Sequence, residues 1–145
     1  MEENAQNKTA VIVGKIGTIL KKVEKTMNNN GIFPTQGQIT VVAAYIYAHL
    51  INTQLKNDTK EFKSNVNNRV QNSLIKVFKN RAKKMGGLKK GNGFTYGGGK
   101  IESPQQYKRL LNWHLDSWSN HPDKNKEEPE KDTADMIVKY FESEI

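Results

Sequence analysis

A helix that is apolar on every side has to be surrounded, and this sequence contains one. Ile39, Val41, Val42, Ala43, Ala44, Tyr45, Ile46, Tyr47, Leu50 and Ile51 cover nearly all faces of a helix drawn through residues 39–51. Such a segment belongs at the centre of a domain. At 13 residues it is too short to cross a bilayer, and it includes His49. Its start is marked by Pro34, then Thr35 with Gln38 three residues on, the spacing of a capping box.

The flanking segments can cover it. Val13, Ile16, Leu20, Val23 and Met27 follow a 3-4-3-4 spacing, which predicts a first helix from Lys8 to Met27. Gly14 and Gly17 inside it read as close helix packing or a frayed first turn, and Asn28-Asn29-Asn30-Gly31 as its left-handed C-cap. Asp58 with Glu61 forms a second capping box, opening a third helix striped by Phe62, Val66, Val70, Leu74, Val77, Phe78 and Met85 and stopped by Gly86-Gly87. After the loop Leu88 to Lys100, in which five glycines prevent a stable helix, Phe94 and Tyr96 alternate as in a strand, so either a small hairpin or a mobile loop fits. A fourth helix begins at Ser103, with Pro104 at its first position and Gln106 completing a third capping box. Tyr107, Leu110, Leu111, His114, Leu115 and Trp118 form its apolar face, and His121-Pro122 marks its end. The predicted fold is therefore all-α: a four-helix bundle over residues 1–120, with a glycine-rich loop between helices three and four. Residues 121–145 form a charged C-terminal tail, flexible over DKNKEEPEKD and ending in a short amphipathic stretch.

A chain of 145 residues can bury roughly two-thirds of the surface it exposes when unfolded, so it needs no metal or disulfide staple. It has no cysteine, which excludes thiolate zinc sites, iron–sulfur clusters and a cysteine nucleophile. The start, MEENAQNKTA, lacks the cationic-then-apolar pattern of a secretory signal.

Charge carries the functional information. The net charge is +8, but its distribution is lopsided. Between Glu61 and Glu102 lie forty residues with no acid and ten bases. From Asp116 to Ile145 nine acids face four bases. Lys76, Lys79, Arg81, Lys83 and Lys84 crowd the end of the third helix, beyond what its dipole calls for. With Lys89, Lys90 and Lys100 they could neutralise several phosphates, and Phe94 and Tyr96 could stack on exposed bases. The competing reading is a solvated cationic face that only keeps the protein in solution. Glu127, Glu128, Glu130 and Asp132 form an acidic run of the kind that can occupy a channel built for nucleic acid, or that can fold back on the basic body.

Nothing in the sequence supplies the parts of an active site. His49, His114 and His121 stand alone, without the i, i+4 spacing of metal ligands. The loop fails the nucleotide-binding pattern, with Phe94 where the first glycine belongs and Ile101 where Ser or Thr belongs. A small enzyme is the disfavoured reading. No catalytic residue, metal, cofactor or small-molecule substrate is expected.

TVVAAYIYAHL (Thr40 to Leu50), GNGFTYGGGK (Gly91 to Lys100) and LLNWHLDSW (Leu110 to Trp118), in a cysteine-free chain of this length and layout, resemble a family of archaeal-virus proteins. That family includes the four-helix-bundle coat protein of the Acidianus two-tailed virus and a related RNA polymerase inhibitory protein. The resemblance implies a virus-encoded protein in the host cytoplasm. It would bind host RNA polymerase in the DNA-binding channel, restrict the clamp, and block DNA loading and initiation-complex assembly. The alternative is a structural, coat-like DNA-binding protein of the virus particle. The partner-binding residues expected under the first reading are the basic end of the third helix, the glycine loop and the acidic run. Membrane association is not expected, and nucleic-acid binding would be weak under the first reading.

Overall fold

In the computed structural model, which describes residues 2–34, 36–84, 94–96, 99–101 and 103–118, four helices enclose one core. They are α1 (Glu2–Asn29), α2 (Gln36–Gln54), α3 (Lys60–Lys84) and α4 (Pro104–Trp118). The connection from α3 to α4 contains a two-stranded antiparallel ribbon, β1 (Phe94–Tyr96) and β2 (Gly99–Ile101). α1 and α4 each pack against both α2 and α3, while α2 and α3 face each other across the diagonal. β1 lies against α2. This is an all-α four-helix bundle, and within the glycine-rich stretch the described strands β1 and β2 pair antiparallel. Among the described residues no helix is long and apolar enough to cross a membrane.

The all-round burial expected of α2 is present. Ile39, Val42, Ala44, Ile46, Tyr47, Ala48, Leu50 and Leu55 are buried, together with the polar Thr40, His49 and Thr53. Thr53 returns its hydroxyl proton to the His49 carbonyl at 2.9 Å, so this group is satisfied within its own helix.

α1 ends as Asn-Gly chemistry dictates. Gly31 has φ +79°, the Ile32 N–H reaches the Met27 carbonyl at 2.8 Å, and the Gly31 N–H reaches the Asn28 carbonyl at 3.0 Å. These two bonds make a Schellman cap, and Met27 and half-buried Ile32 supply its apolar positions. The helix begins earlier than predicted, at Glu2 rather than Lys8. Ala5 is fully buried, which gives the added turns a packing contact, and acidic residues favour a helix N-terminus. Neither reading of Gly14 and Gly17 holds. Both sit in the interior of α1 with nothing within 4 Å of where a Cβ would stand, so no neighbour packs closely on them.

α3 departs from its predicted cap and stripe. Its N-cap is Thr59, not Asp58: the Phe62 N–H donates to Thr59 Oγ1 at 3.2 Å and the Lys63 N–H to the Thr59 carbonyl at 2.9 Å. The Asp58 N–H is already committed to the Leu55 carbonyl. Val66, Val70, Leu74, Phe78 and Ala82 are buried at steps of four, so the buried stripe turns about 40° per step around the helix. It turns away from Val77, which is 46 % exposed instead of in the core.

α4 starts as predicted, with the Gln106 N–H donating to Ser103 Oγ at 3.2 Å. Its Tyr107 ring stacks on Phe78 of α3 (centroids 4.8 Å apart, 16° between planes), and its hydroxyl donates to the Thr40 carbonyl of α2 at 3.4 Å. One side chain thus joins three helices.

Gly14→Ala and Gly17→Ala should each raise stability by about 1 kcal/mol, through helix propensity alone. Gly31→Ala should lower it by a similar amount, because a Cβ is strained at its positive φ. Urea denaturation midpoints of the three variants check both signs.

Candidate functional site

The rotation of the buried stripe decides where the cations of α3 go. Lys76, Lys79 and Lys83 are exposed, and their 3-4 spacing puts them on one outer face. Arg69 precedes Lys76 by two turns, half-buried, with its Nε donating to Asn65 Oδ1 at 2.9 Å. From Arg69 to Lys83 this face runs about 21 Å at 1.5 Å per residue. α3 has no acid after Glu61. Arg81 does not join the row. It is half-buried, and its charge favours the ionised form of the Tyr107 phenol, which places it toward α4.

The remaining predicted residues divide in two. Lys84, Phe94, Tyr96 and Lys100 have described backbone positions. In the ribbon Phe94 pairs with Ile101 and Tyr96 with Gly99. Opposed residues of an antiparallel pair share a face. Ile101 is buried against the bundle. Lys89, Lys90, Glu127, Glu128, Glu130 and Asp132 lie outside the described residues, as do Met85 and the whole segment 121–145.

A polar network that the sequence reading missed crosses the bundle. The Tyr47 hydroxyl of α2 donates to Asn67 Oδ1 of α3. Gln71 of α3 donates through Nε2 to the Tyr47 oxygen at 2.9 Å and to Asn112 Oδ1 of α4 at 2.7 Å. Burial pushes the Tyr47 phenol up to about 12, against the opposing effect of its hydrogen bonds to Gln71 and Asn67. Burial likewise raises Tyr107 above the ordinary tyrosine range. Both phenols are therefore neutral hydrogen-bonding groups at neutral pH. The polar periodicity Asn67–Gln71 at i, i+4 is the signal that could have revealed the network.

Beside it lies a cleft of about 310 Å³ where the end of α2, the start of α3 and the last turns of α4 meet. Ile51, Asn52, Lys56, Lys63, Ser64, Asn67 and Leu115 line it. None of them is acidic. Among the described residues no group of three or more His, Asp or Glu stands where it could hold a metal ion.

His49 and His114 are packing residues. His49 is fully buried in α2, and His114 of α4 meets Tyr45 edge-on at 6.3 Å and Trp113 edge-on at 4.9 Å. Burial lowers His114 from 6.5 to about 4. Trp113 itself is 56 % exposed.

The comparisons with known proteins add nothing to this geometry: no protein-family model, curated protein or solved structure matches the chain.

His114 gives the protein an acid limit. Its folded value lies below its unfolded one, so the unfolded chain takes up the proton first. The associated stability is complete above about pH 6.5 and is lost as pH falls toward 4, with about 2 kcal/mol gone by pH 5. Urea midpoints at pH 7 and pH 5 should converge in His114→Phe relative to the parent. Equal losses in both proteins would show that another group sets the limit.

Proposed function

We propose that the protein is a virus-encoded, non-enzymatic inhibitor of host transcription that binds RNA polymerase. In this reading it sits in the DNA-binding channel, restricts the clamp, and prevents DNA loading and assembly of initiation complexes, within the host cytoplasm. The observation that carries it is the pairing of a four-helix bundle, the fold implied by the family resemblance, with an acid-free cationic face on α3. Lys76, Lys79 and Lys83 stand free of the core, so they are available to acidic patches on a large partner. Opposed charge of this kind speeds encounter and fixes orientation more than it adds affinity. The acidic run Glu127 to Asp132 would meet the basic wall of the channel.

Promoter-directed transcription by purified archaeal RNA polymerase tests the reading. Added protein should suppress run-off product and co-migrate with the polymerase on native gels, and preloaded DNA should protect. The triple charge reversal Lys76→Glu, Lys79→Glu, Lys83→Glu should weaken inhibition at least tenfold while leaving the helical content unchanged. Full inhibition by the reversed protein removes α3 from the interface, and no inhibition by the parent removes the reading.

The α3 face also favours a second reading, a coat-like DNA-binding protein. Four cations along one helix would displace about four counterions, so duplex affinity should fall with log salt at a slope of about −3 to −4. Gel shifts between 50 and 200 mM salt separate the two, because a polymerase inhibitor has no need of tight binding to free duplex.

A further inference from the structure

We propose that the cleft between α2, α3 and α4 is a binding site for a phosphate monoester, carried on a ligand the size of a mononucleotide. The argument rests on the hydrogen-bonding direction of its lining and does not depend on the polymerase reading.

The direction is set inside the core. Gln71 spends its amide protons on the Tyr47 oxygen and on Asn112 Oδ1. Tyr47 therefore receives one bond and gives its own proton to Asn67 Oδ1. With its oxygen turned to Tyr47, Asn67 offers the NH₂ group as its remaining polar function to the cleft it lines. Lys63 and Ser64 precede Asn67 by four and three residues, so all three share a face of α3. Lys56 approaches from the α2–α3 connection. Two ammonium groups, a hydroxyl and an amide NH₂ thus line one wall, while the Asp116 carboxylate, next to the lining residue Leu115 in α4, lies close enough for its charge to raise the Tyr47 phenol. That set offers more donors than the roughly four acceptor sites of a carboxylate can use. A phosphate monoester dianion, with three terminal oxygens and a double charge, suits it better, and charge-assisted bonds to such an anion are the strong class.

The remaining wall sets the rest of the ligand. Ile51 and Leu115 are apolar and stand beside Asn52. Asn52 directs its Nδ2 to the carbonyls of Ala48 (2.9 Å) and Leu115 (3.4 Å), which leaves its Oδ1 as an acceptor. A volume of about 310 Å³ exceeds a bare phosphate and reaches the lower range of small-ligand pockets. A phosphate held by the lysines, with a hydroxyl-bearing sugar against Ile51 and Leu115, uses every part of this lining. Two sources share that chemistry: a free mononucleotide and the phosphorylated 5′ end of a nucleic-acid strand.

Two-dimensional ¹H–¹⁵N spectra of the labelled full chain, titrated at constant ionic strength, test the proposal. Adenosine 5′-monophosphate should give saturable shifts confined to the amides of residues 52–67 and 115. Inorganic phosphate should shift the same amides more weakly, and adenosine should shift none. Lys56→Ala and Lys63→Ala should each weaken binding about tenfold, the equivalent of one charge-assisted bond. Asn67→Asp keeps an acceptor for the Tyr47 hydroxyl but replaces the NH₂ with negative charge, so it should abolish binding while the shifts of α1 stay native. Lys79→Ala, on the outer face of α3, should leave affinity unchanged. Equal shifts with adenosine, shifts spread over Lys76 to Lys83, or unchanged affinity in Asn67→Asp would overturn the assignment. Comparing a 5′-phosphorylated short oligonucleotide with its 5′-hydroxyl counterpart then assigns the source: preference for the phosphorylated strand indicates strand ends, and equal weakness of both indicates the free nucleotide.

Discussion

Helix α2 buries side chains around its whole circumference, and two neighbours cannot cover a cylinder. α1 and α4 are its main neighbours, α3 meets it across the diagonal, and β1 packs on it as well. At roughly 25 cal/mol for each Å² of apolar surface removed from water, leaving a row of Val, Ile and Leu uncovered would cost several kcal/mol, comparable to the net stability of a small domain. The described strands of the α3–α4 connection therefore belong to the packed body: buried Ile101 anchors β2 before Ser103 caps α4. A long glycine-rich segment that looked like a candidate binding loop has at least one structural duty, and this duty comes from the composition of a helix some fifty residues earlier.

An apolar cylinder does not by itself fix how its neighbours rotate around it. Polar groups inside the core do. Tyr47 carries a hydroxyl into a region where an unsatisfied one would cost about 1–3 kcal/mol. It is satisfied only if Asn67 and Gln71 of α3 present the matching atoms, and Gln71 in turn needs Asn112 of α4. Rotating either helix by a quarter turn would break the chain of donors. Tyr107 adds a second constraint at the other end of α4, through its stack on Phe78 and its bond to the Thr40 carbonyl. Hydrophobic burial supplies most of the driving force. The two tyrosines select one arrangement from those that burial alone would allow.

The parts of this structure legible in the sequence are those governed by local chemistry. The Asn-Gly end of α1, the Ser103 cap of α4 and the all-round burial of α2 each follow from a few adjacent residues. What was hidden depends on partners distant in the chain. Thr59 and not Asp58 caps α3; the Asp58 N–H is bonded to the Leu55 carbonyl and so is not available to close a capping box with Glu61, which the side-chain pattern does not show. Val77 fell out of the core because the stripe of α3 drifts, and the drift follows from the contact with α4 at Phe78 and Tyr107. Gly14 and Gly17 looked like packing residues because glycine inside a helix usually has a reason; here no neighbour approaches them. Of the candidate site, the outer lysines of α3 were visible as charge. The cleft was not, because Lys56, Lys63, Asn52 and Leu115 meet only when three elements do.

The drift of α3 has a further effect on charge. A helix whose apolar stripe held one face would present its polar residues on one opposite face, and all its cations would merge into a single patch. Here the buried positions turn about 160° between Val66 and Ala82. At the start of α3, Lys63, Ser64 and Asn67 line the angle between α2 and α4. Arg69, Lys76, Lys79 and Lys83 keep to one outer face, while Arg81 is drawn in toward Tyr107. One helix thus presents two cationic regions of different character. The first is mixed with neutral donors and bordered by Ile51 and Leu115, with Lys63 and Asn67 half-buried. The second is open, purely cationic and fully exposed to counterions, so its interactions must fade within a Debye length of about 8 Å at physiological salt. Salt dependence is therefore the physical property that distinguishes them: binding at the outer face should collapse as salt rises, and binding in the cleft should persist.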